Sequence, residues 1–292
     1  MMQENEQWKY IVDPEDKRLE LNFREVWQYR DLIFLFVKRD FTSKYKQMHL
    51  GALWAFINPL LSTVVITVVF GNLAKLTTLD VPDPSEMVVP TFLFYMIGNV
   101  LWNYFSAVVN ETSRTLIRNA SIMGKVYYPR LVSPIASALL ELITAAINFL
   151  LFAVLALVFS LFGGAVIHPS AWVLLFPLLI VQIMLLGMGV GLILAAASTK
   201  KRDIIMLINF ALRLWFYATP VIYGLQFFPE RWRPLILLNP VAPIITTMRY
   251  LCFGEGFFQL SYSLLSCAVC CLTFFVGVLI FNRAKKNSVD TI

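Results

Sequence analysis

The chain has 292 residues, of which 59% are hydrophobic and 14% charged, and it carries a net charge of +6. Soluble globular chains are roughly 25% charged, so an ordinary soluble domain is excluded. A basic balance can signal nucleic acid, but here the basic residues sit where membrane topology would put them, and no nucleic-acid partner is expected.

Residues 1–20 form a polar arm containing Asp13-Pro14-Glu15-Asp16-Lys17-Arg18. The first 50 residues are rich in charge and resemble no cleavable leader, so the first membrane helix is expected to direct its own insertion. Within 21–50, Phe23, Val26, Trp27, Phe34, Val37, Phe41, Tyr45 and Met48 recur at three- and four-residue spacings. Arg24, Arg30, Lys38, Arg39, Lys44 and Lys46 take up much of the remaining surface. This pattern predicts an amphipathic helix that either lies in the headgroup plane or packs on a partner.

Six apolar windows follow, at 51–74, 87–110, 131–162, 171–199, 204–224 and 257–282. Four contain no charge; 131–162 holds only Glu141 and 204–224 only Arg213. Crossing a core of about 30 Å takes about 20 helical residues, and in lipid such runs must be helical to pair their backbone groups. The fold class is therefore an all-α membrane protein with six transmembrane helices over 51–282 and a short tail at 283–292. Nineteen Lys/Arg fall on one side of these windows and four on the other, namely Lys75, Arg231, Arg233 and Arg249. The positive-inside rule then places both termini in the cytoplasm.

Between windows two and three, Thr112–Arg130 has helical potential of its own. Leu116, Ile117, Ala120 and Met123 form a short apolar stripe beside Arg114 and Arg118, punctuated by Gly124 and Pro129. After window five, Leu225–Gly256 is too polar to span and too apolar for an ordinary loop. Pro229, Pro234, Pro240 and Pro243 divide it into two short helices that suit re-entrant or surface packing.

Catalytic signatures are missing. The chain has no G-x-x-x-x-G-K-[ST], no Ser/His/Asp arrangement and no metal-ligand cluster; His49 and His168 are isolated, and Cys252, Cys267, Cys270 and Cys271 read as packing thiols. No cofactor is expected on this chain. Energy for any driven transport must come from another chain or from an ion gradient.

Arg30-Asp31-Leu32, Lys38-Arg39-Asp40, Tyr45-Lys46-Gln47, Leu50-Gly51-Ala52-Leu53-Trp54 and Asn58-Pro59-Leu60 resemble the N-terminal part of ABC-2 type permeases that export polysaccharides. Thr219-Pro220-Val221-Ile222-Tyr223 and Leu238-Asn239-Pro240 resemble that family's fifth helix and outer segment. The resemblance implies an export subunit, in the inner membrane of a bacterium, for lipid-linked O-antigen, capsule or teichoic acid chains. Two copies would face each other, each with one cytoplasmic ATPase subunit that binds ATP and Mg. Residues 21–48 would be the interfacial helix, and Leu225–Gly256 two re-entrant helices closing the outer side. Arg114, Leu116, Ile117, Arg118 and Met123 would contact the ATPase.

For such a substrate, Trp102, Tyr104, Arg213, Trp215 and Tyr217 are the candidate pathway residues, and Lys38, Arg39, Lys44 and Lys46 are candidates for lipid headgroups or the diphosphate. Two other functions stay open: export of a small hydrophobic compound, and a membrane-embedded transferase, for which no catalytic cluster is visible. Glu141 and Arg213 are ten and nine residues from the starts of their windows, about 14–15 Å at about 1.5 Å per residue. Matching depth and opposite charge predict either an intramembrane pair or two separate groups facing a pathway.

Overall fold

The computed structural model describes residues 23–46, 53–73, 91–123, 125–162, 175–198, 203–254 and 257–283. The polar arm, the end of the interfacial segment, Gly124, Lys200–Arg202 and the tail beyond Arg283 lie outside the described residues. Among those described, every regular element is helical.

The amphipathic segment forms α1 (Phe23–Gln28) and α2 (Arg30–Lys46). The first apolar window is α3 (Trp54–Ile66), which accommodates Pro59 near its start and widens into a π-helical turn at Thr67–Leu73. There follow α4 (Thr91–Arg118), α5 (Ala120–Met123), α6 (Val132–Phe162) and α7 (Phe176–Ser198). The C-terminal half holds α8 (Ile204–Tyr217), α9 (Arg233–Leu237), α10 (Val241–Phe253) and α11 (Leu260–Arg283). Gly254 ends α10 with φ of 72°, a left-handed cap that glycine adopts without cost.

Among the described residues, five helices are long and apolar enough to cross a membrane: α3 with its π turn, α4, α6, α7 and α11. The expected crossing at 204–224 differs. Its helix, α8, has 14 residues, about 21 Å long, and residues 218–224 fold into turns after Tyr217. Thr219-Pro220 is the cause, since proline lacks the N–H needed to continue the ladder. A second difference is that α4 runs on to Arg118, eight residues past the end of its window. Asn110-Glu111-Thr112-Ser113-Arg114 lowers the hydropathy without breaking the helix.

Between apolar helices in lipid the hydrophobic effect gives little association, so close backbone approach and interhelical hydrogen bonds must supply it. Helix α7 sits between α4 and α11 and shows how. Gly187 and Gly191 face α4, where an added Cβ would lie 3.0 Å from Val108 and 2.6 Å from Thr112. Gly189 faces α11, and a Cβ on Gly277 would lie 2.5 Å from its carbonyl oxygen.

The main core surrounds α4. A second cluster joins Val26, Ile33, Phe36 and Val37 to Tyr128 and Val132, to Leu192 on α7 and to Phe281 on α11. Trp27, Phe34 and Leu35, on the other side of α1 and α2, stay exposed. The amphipathic segment therefore packs on the bundle with one apolar face and presents a second, aromatic one outward.

Candidate functional site

Helix α4 carries Asn99, Asn103, Ser106, Asn110 and Ser113 at alternating spacings of four and three. With 3.6 residues per turn these positions share an arc of about 80° and extend about 21 Å along the axis. Asn103, Ser106 and Asn110 are half-buried, whereas the opposite side of α4 is sealed against α7. Asn99 donates to Ser62 Oγ (2.7 Å) and Thr63 Oγ1 (3.2 Å) on α3, and Asn103 donates to Asn99 Oδ1 (3.3 Å). Asn110 donates to the Ser106 carbonyl (3.0 Å), while its Oδ1 has no partner among the described residues. The result is a ladder of amides and hydroxyls that runs from the apolar part of α4 into its polar end.

At the basic end of this ladder, Arg118 is held on three sides. Its guanidinium donates to Glu111 (2.6 Å), Asp40 (3.3 Å) and Ser137 (2.9 Å), joining α4 to α2 and α6. Arg39 donates to Asp40 (2.7 Å) and Asn119 (3.3 Å). Beside them, between α4 and α8, is a cavity of about 560 Å³ whose lining includes Arg114, Ile117 and Asn209.

The four headgroup candidates divide into two kinds. Arg39 and Lys44 are engaged in ion pairs, and Lys38 and Lys46 are exposed. Of the two arrangements open for Glu141 and Arg213, a direct pair or two separate groups, the pair does not form in this structure. Lys44 Nζ donates to Glu141 Oε1 at 2.7 Å, with Tyr45 and Thr144 joined alongside at 3.2 Å. Arg213 is exposed on α8 and makes no ion pair among the described residues. The physical reason is that α6 has 31 residues, about 46 Å, against a core of about 30 Å. Ten residues into this helix is not ten residues into the membrane, and α2 reaches that level.

The aromatic candidates also separate. Trp102 and Tyr104 are buried within the chain. Trp102 packs edge-on against Trp215 (centroids 6.3 Å) and Phe216 (5.7 Å), and Phe105 lies 5.2 Å from Trp215, a cluster that fastens α4 to α8. Tyr217 and Arg213 lie on the exposed face of α8 with Met206, Phe210 and Leu214. Among the ATPase candidates, Ile117 is exposed, while Leu116 and Met123 pack toward the second cluster. Val126 (59% exposed) and Tyr127 (76%) project from the loop after α5, which sequence reasoning did not single out.

At the opposite end the two proline motifs meet. Trp215 Nε1 donates to Asn239 Oδ1 (3.1 Å), Asn239 Nδ2 donates to Thr219 Oγ1 (2.8 Å), and the Val241 N–H returns to Asn239 Oδ1 (3.2 Å). Arg249 on α10 is buried and donates to the carbonyls of Pro220 (2.7 Å), Val221 (2.7 Å), Tyr223 (3.3 Å) and Phe94 (3.3 Å). Its guanidinium also lies 3.7 Å from the Phe94 ring centroid. These bonds satisfy the carbonyls that the turns after α8 leave open. Charge counting placed Arg249 on the outer side; only its position in an apolar run, Ile244 to Phe253, hinted that it is buried.

The ABC-2 type transporter family profile matches residues 31–253. The O-antigen export system permease protein RfbA of Klebsiella pneumoniae is 28% identical over 262 residues, covering 89% of this chain and 94% of that protein. RfbA of Myxococcus xanthus is 28% identical over 272 residues, covering 92% and 98%. The polysialic acid transport protein KpsM of Escherichia coli is 22% identical over 250 residues, covering 85% and 91%.

Proposed function

The chain belongs to the ABC-2 type transporter family, and on that premise we propose that it is the membrane permease of an ATP-driven exporter of lipid-linked polysaccharide, O-antigen first among the candidates. The observation that carries this is the polar ladder Asn99–Asn103–Ser106–Asn110–Ser113 on α4. Sugar hydroxyls are both donors and acceptors, and so are amides and hydroxyls. A small hydrophobic cargo would gain nothing from their spare acceptor capacity, such as the Asn110 Oδ1 that has no partner among the described residues. The names of the relatives, O-antigen export and polysialic acid transport, point to the same class of cargo.

In this reading two copies face each other across their half-buried α4 ladders. ATP and Mg are bound by a separate cytoplasmic ATPase subunit, one per copy, which suits a chain that has no phosphate-binding loop. Helix α8 with residues 218–224 makes the sixth crossing, and α9 and α10 dip in from outside. Irregular backbone at that depth is tolerable only where its polar groups are satisfied within the protein; Arg249 donates to the carbonyls of Pro220, Val221 and Tyr223, and Asn239 Oδ1 accepts from the Val241 N–H. Both termini are cytoplasmic in the inner membrane of a bacterium, in keeping with nineteen basic residues against four.

Deleting the gene should remove polymer from the cell surface and leave lipid-linked polymer on the cytoplasmic side, with surface polymer restored by the intact gene. Undiminished surface polymer in the deletion strain rejects the function. Topology is tested by single cysteines at Gln226 and Ser288 in a Cys-free background, probed with an impermeant thiol reagent on intact cells. Labelling at 226 alone is expected; labelling at 288 alone overturns the orientation.

A further inference from the structure

We propose that the cavity between α4 and α8 is a binding site for a phosphate or diphosphate carried on a lipid chain, with Arg114 as the cation that receives it. This rests on the export reading and gives that reading a specific loading site. The cavity, about 560 Å³, has Arg114, Ile117 and Arg118 on one wall and Ile205, Met206 and Asn209 on the other. Its charges are not equivalent. Glu111 is neutralised by Arg118 at 2.6 Å, and Arg118 is further occupied by Asp40 and Ser137.

Arg114 is left over. Its Nε is buried without a hydrogen-bond partner, and it has no ion pair or hydrogen bond among the described residues. An uncompensated guanidinium beside a cavity favours an anion with several acceptor oxygens, and phosphate matches its donor fork. The other wall is apolar, with Met206 79% and Ile117 42% exposed. A free anion would leave that wall against water, whereas the first carbons of a lipid chain would cover it. Asn209 adds an amide between the two. The site therefore fits an amphiphile better than either of its halves.

The test uses the purified full-length chain in nanodiscs of zwitterionic lipid, with farnesyl diphosphate, farnesol and inorganic diphosphate as three separate probes. Farnesyl diphosphate should bind at least about tenfold more tightly than either of the others, since charge-assisted bonds and apolar burial each contribute a factor of about ten or more. Inorganic diphosphate binding as tightly as farnesyl diphosphate overturns the lipid assignment. Arg114→Gln should weaken farnesyl diphosphate about tenfold or more, with Arg114→Lys retaining most of the affinity. Met206→Trp, which fills the cavity from an exposed position, should also weaken it while leaving the elution profile of the protein unchanged. Arg231→Gln, which removes an exposed arginine outside this cavity, should bind as wild type.

Unchanged affinity in Arg114→Gln, or an equal loss in Arg231→Gln, overturns the site. Failure of the wider reading looks different. Arg114-dependent binding, with surface polymer unaffected by gene deletion, leaves the site standing and rejects export.

Discussion

Arg249 shows how one side chain holds a non-helical turn inside an apolar region. Two of its bonds are 2.7 Å long, to Pro220 and Val221, and the surrounding chain offers those carbonyls no other donor among the described contacts. The buried guanidinium carries a desolvation cost, but removing it strands the carbonyls, each at about 1–3 kcal/mol. We expect Arg249→Met to lose about 3 kcal/mol and to melt several degrees lower in detergent, with Arg249→Lys intermediate; an unchanged melting temperature in Arg249→Met would show that the turn stands without it. Gly98→Ala should act in the same direction, because its Cβ would sit 2.7 Å from Arg249 Nη2. The Lys44–Glu141 bridge makes a second prediction at this scale. Its carboxylate is buried and its ammonium only partly so, which leaves a coupling energy of about 1–2 kcal/mol in a cycle of Lys44→Met and Glu141→Gln. The cycle of Glu141→Gln with Arg213→Gln should be additive within about 0.5 kcal/mol. The reverse result would restore the pairing that sequence depth predicted.

Most elements were legible in the sequence, because a charge-free run of about 20 residues in lipid has no alternative to helix. Window starts matched where polarity and helix start coincide, as at Val132 and Ile204. Window ends missed where the two diverge: α4 continues through a polar stretch to Arg118, and α8 stops at Tyr217 although the hydropathy continues. The amide ladder on α4 could have been found by marking Asn and Ser at four-three spacing within window two; attention to aromatic residues hid it. Close helix contacts were not legible, since glycine is common in membrane helices and nothing in the sequence aligns Gly189 with Gly277. Their approach makes a prediction for the element. Gly277→Val places atoms where the Gly189 carbonyl lies, 2.5 Å from the added Cβ, and α7 and α11 must separate. Overpacking of this kind costs about 1–3 kcal/mol, so folded yield should fall. Val278→Ala, a neighbour in the second cluster whose substitution only removes volume, should fall less. Equal yields for Gly277→Val and wild type would mean that α11 can slide along α7.

For the whole molecule, the proposed division of labour between this chain and an ATPase is the property most open to direct test. The family resemblance, together with the absent phosphate-binding loop, implied a contact within Thr112–Arg130 through Arg114, Leu116, Ile117, Arg118 and Met123. Packing changes which residues are available. Leu116 and Met123 lean toward Tyr128, Val132 and the amphipathic helices, so an aspartate at Leu116 would break the second cluster and mimic a docking defect by unfolding it. Ile117 belongs to the cavity beside α8. What remains outward is Val126 and Tyr127, at the end of the helical path that begins in α4 and turns at α5. A rigid helix continuous with the polar ladder is well placed to carry a push from the cytoplasm into the membrane. We therefore expect the purified chain alone to hydrolyse no ATP, and Val126→Asp with Tyr127→Asp to insert and elute normally while no longer retaining the ATPase on co-purification. Surface polymer should fall by at least about tenfold, as loss of a central apolar contact of about 1.4 kcal/mol or more requires. Full retention of the ATPase with normal surface polymer in that variant would move the contact away from this loop, and ATP hydrolysis by the chain alone would remove the need for it.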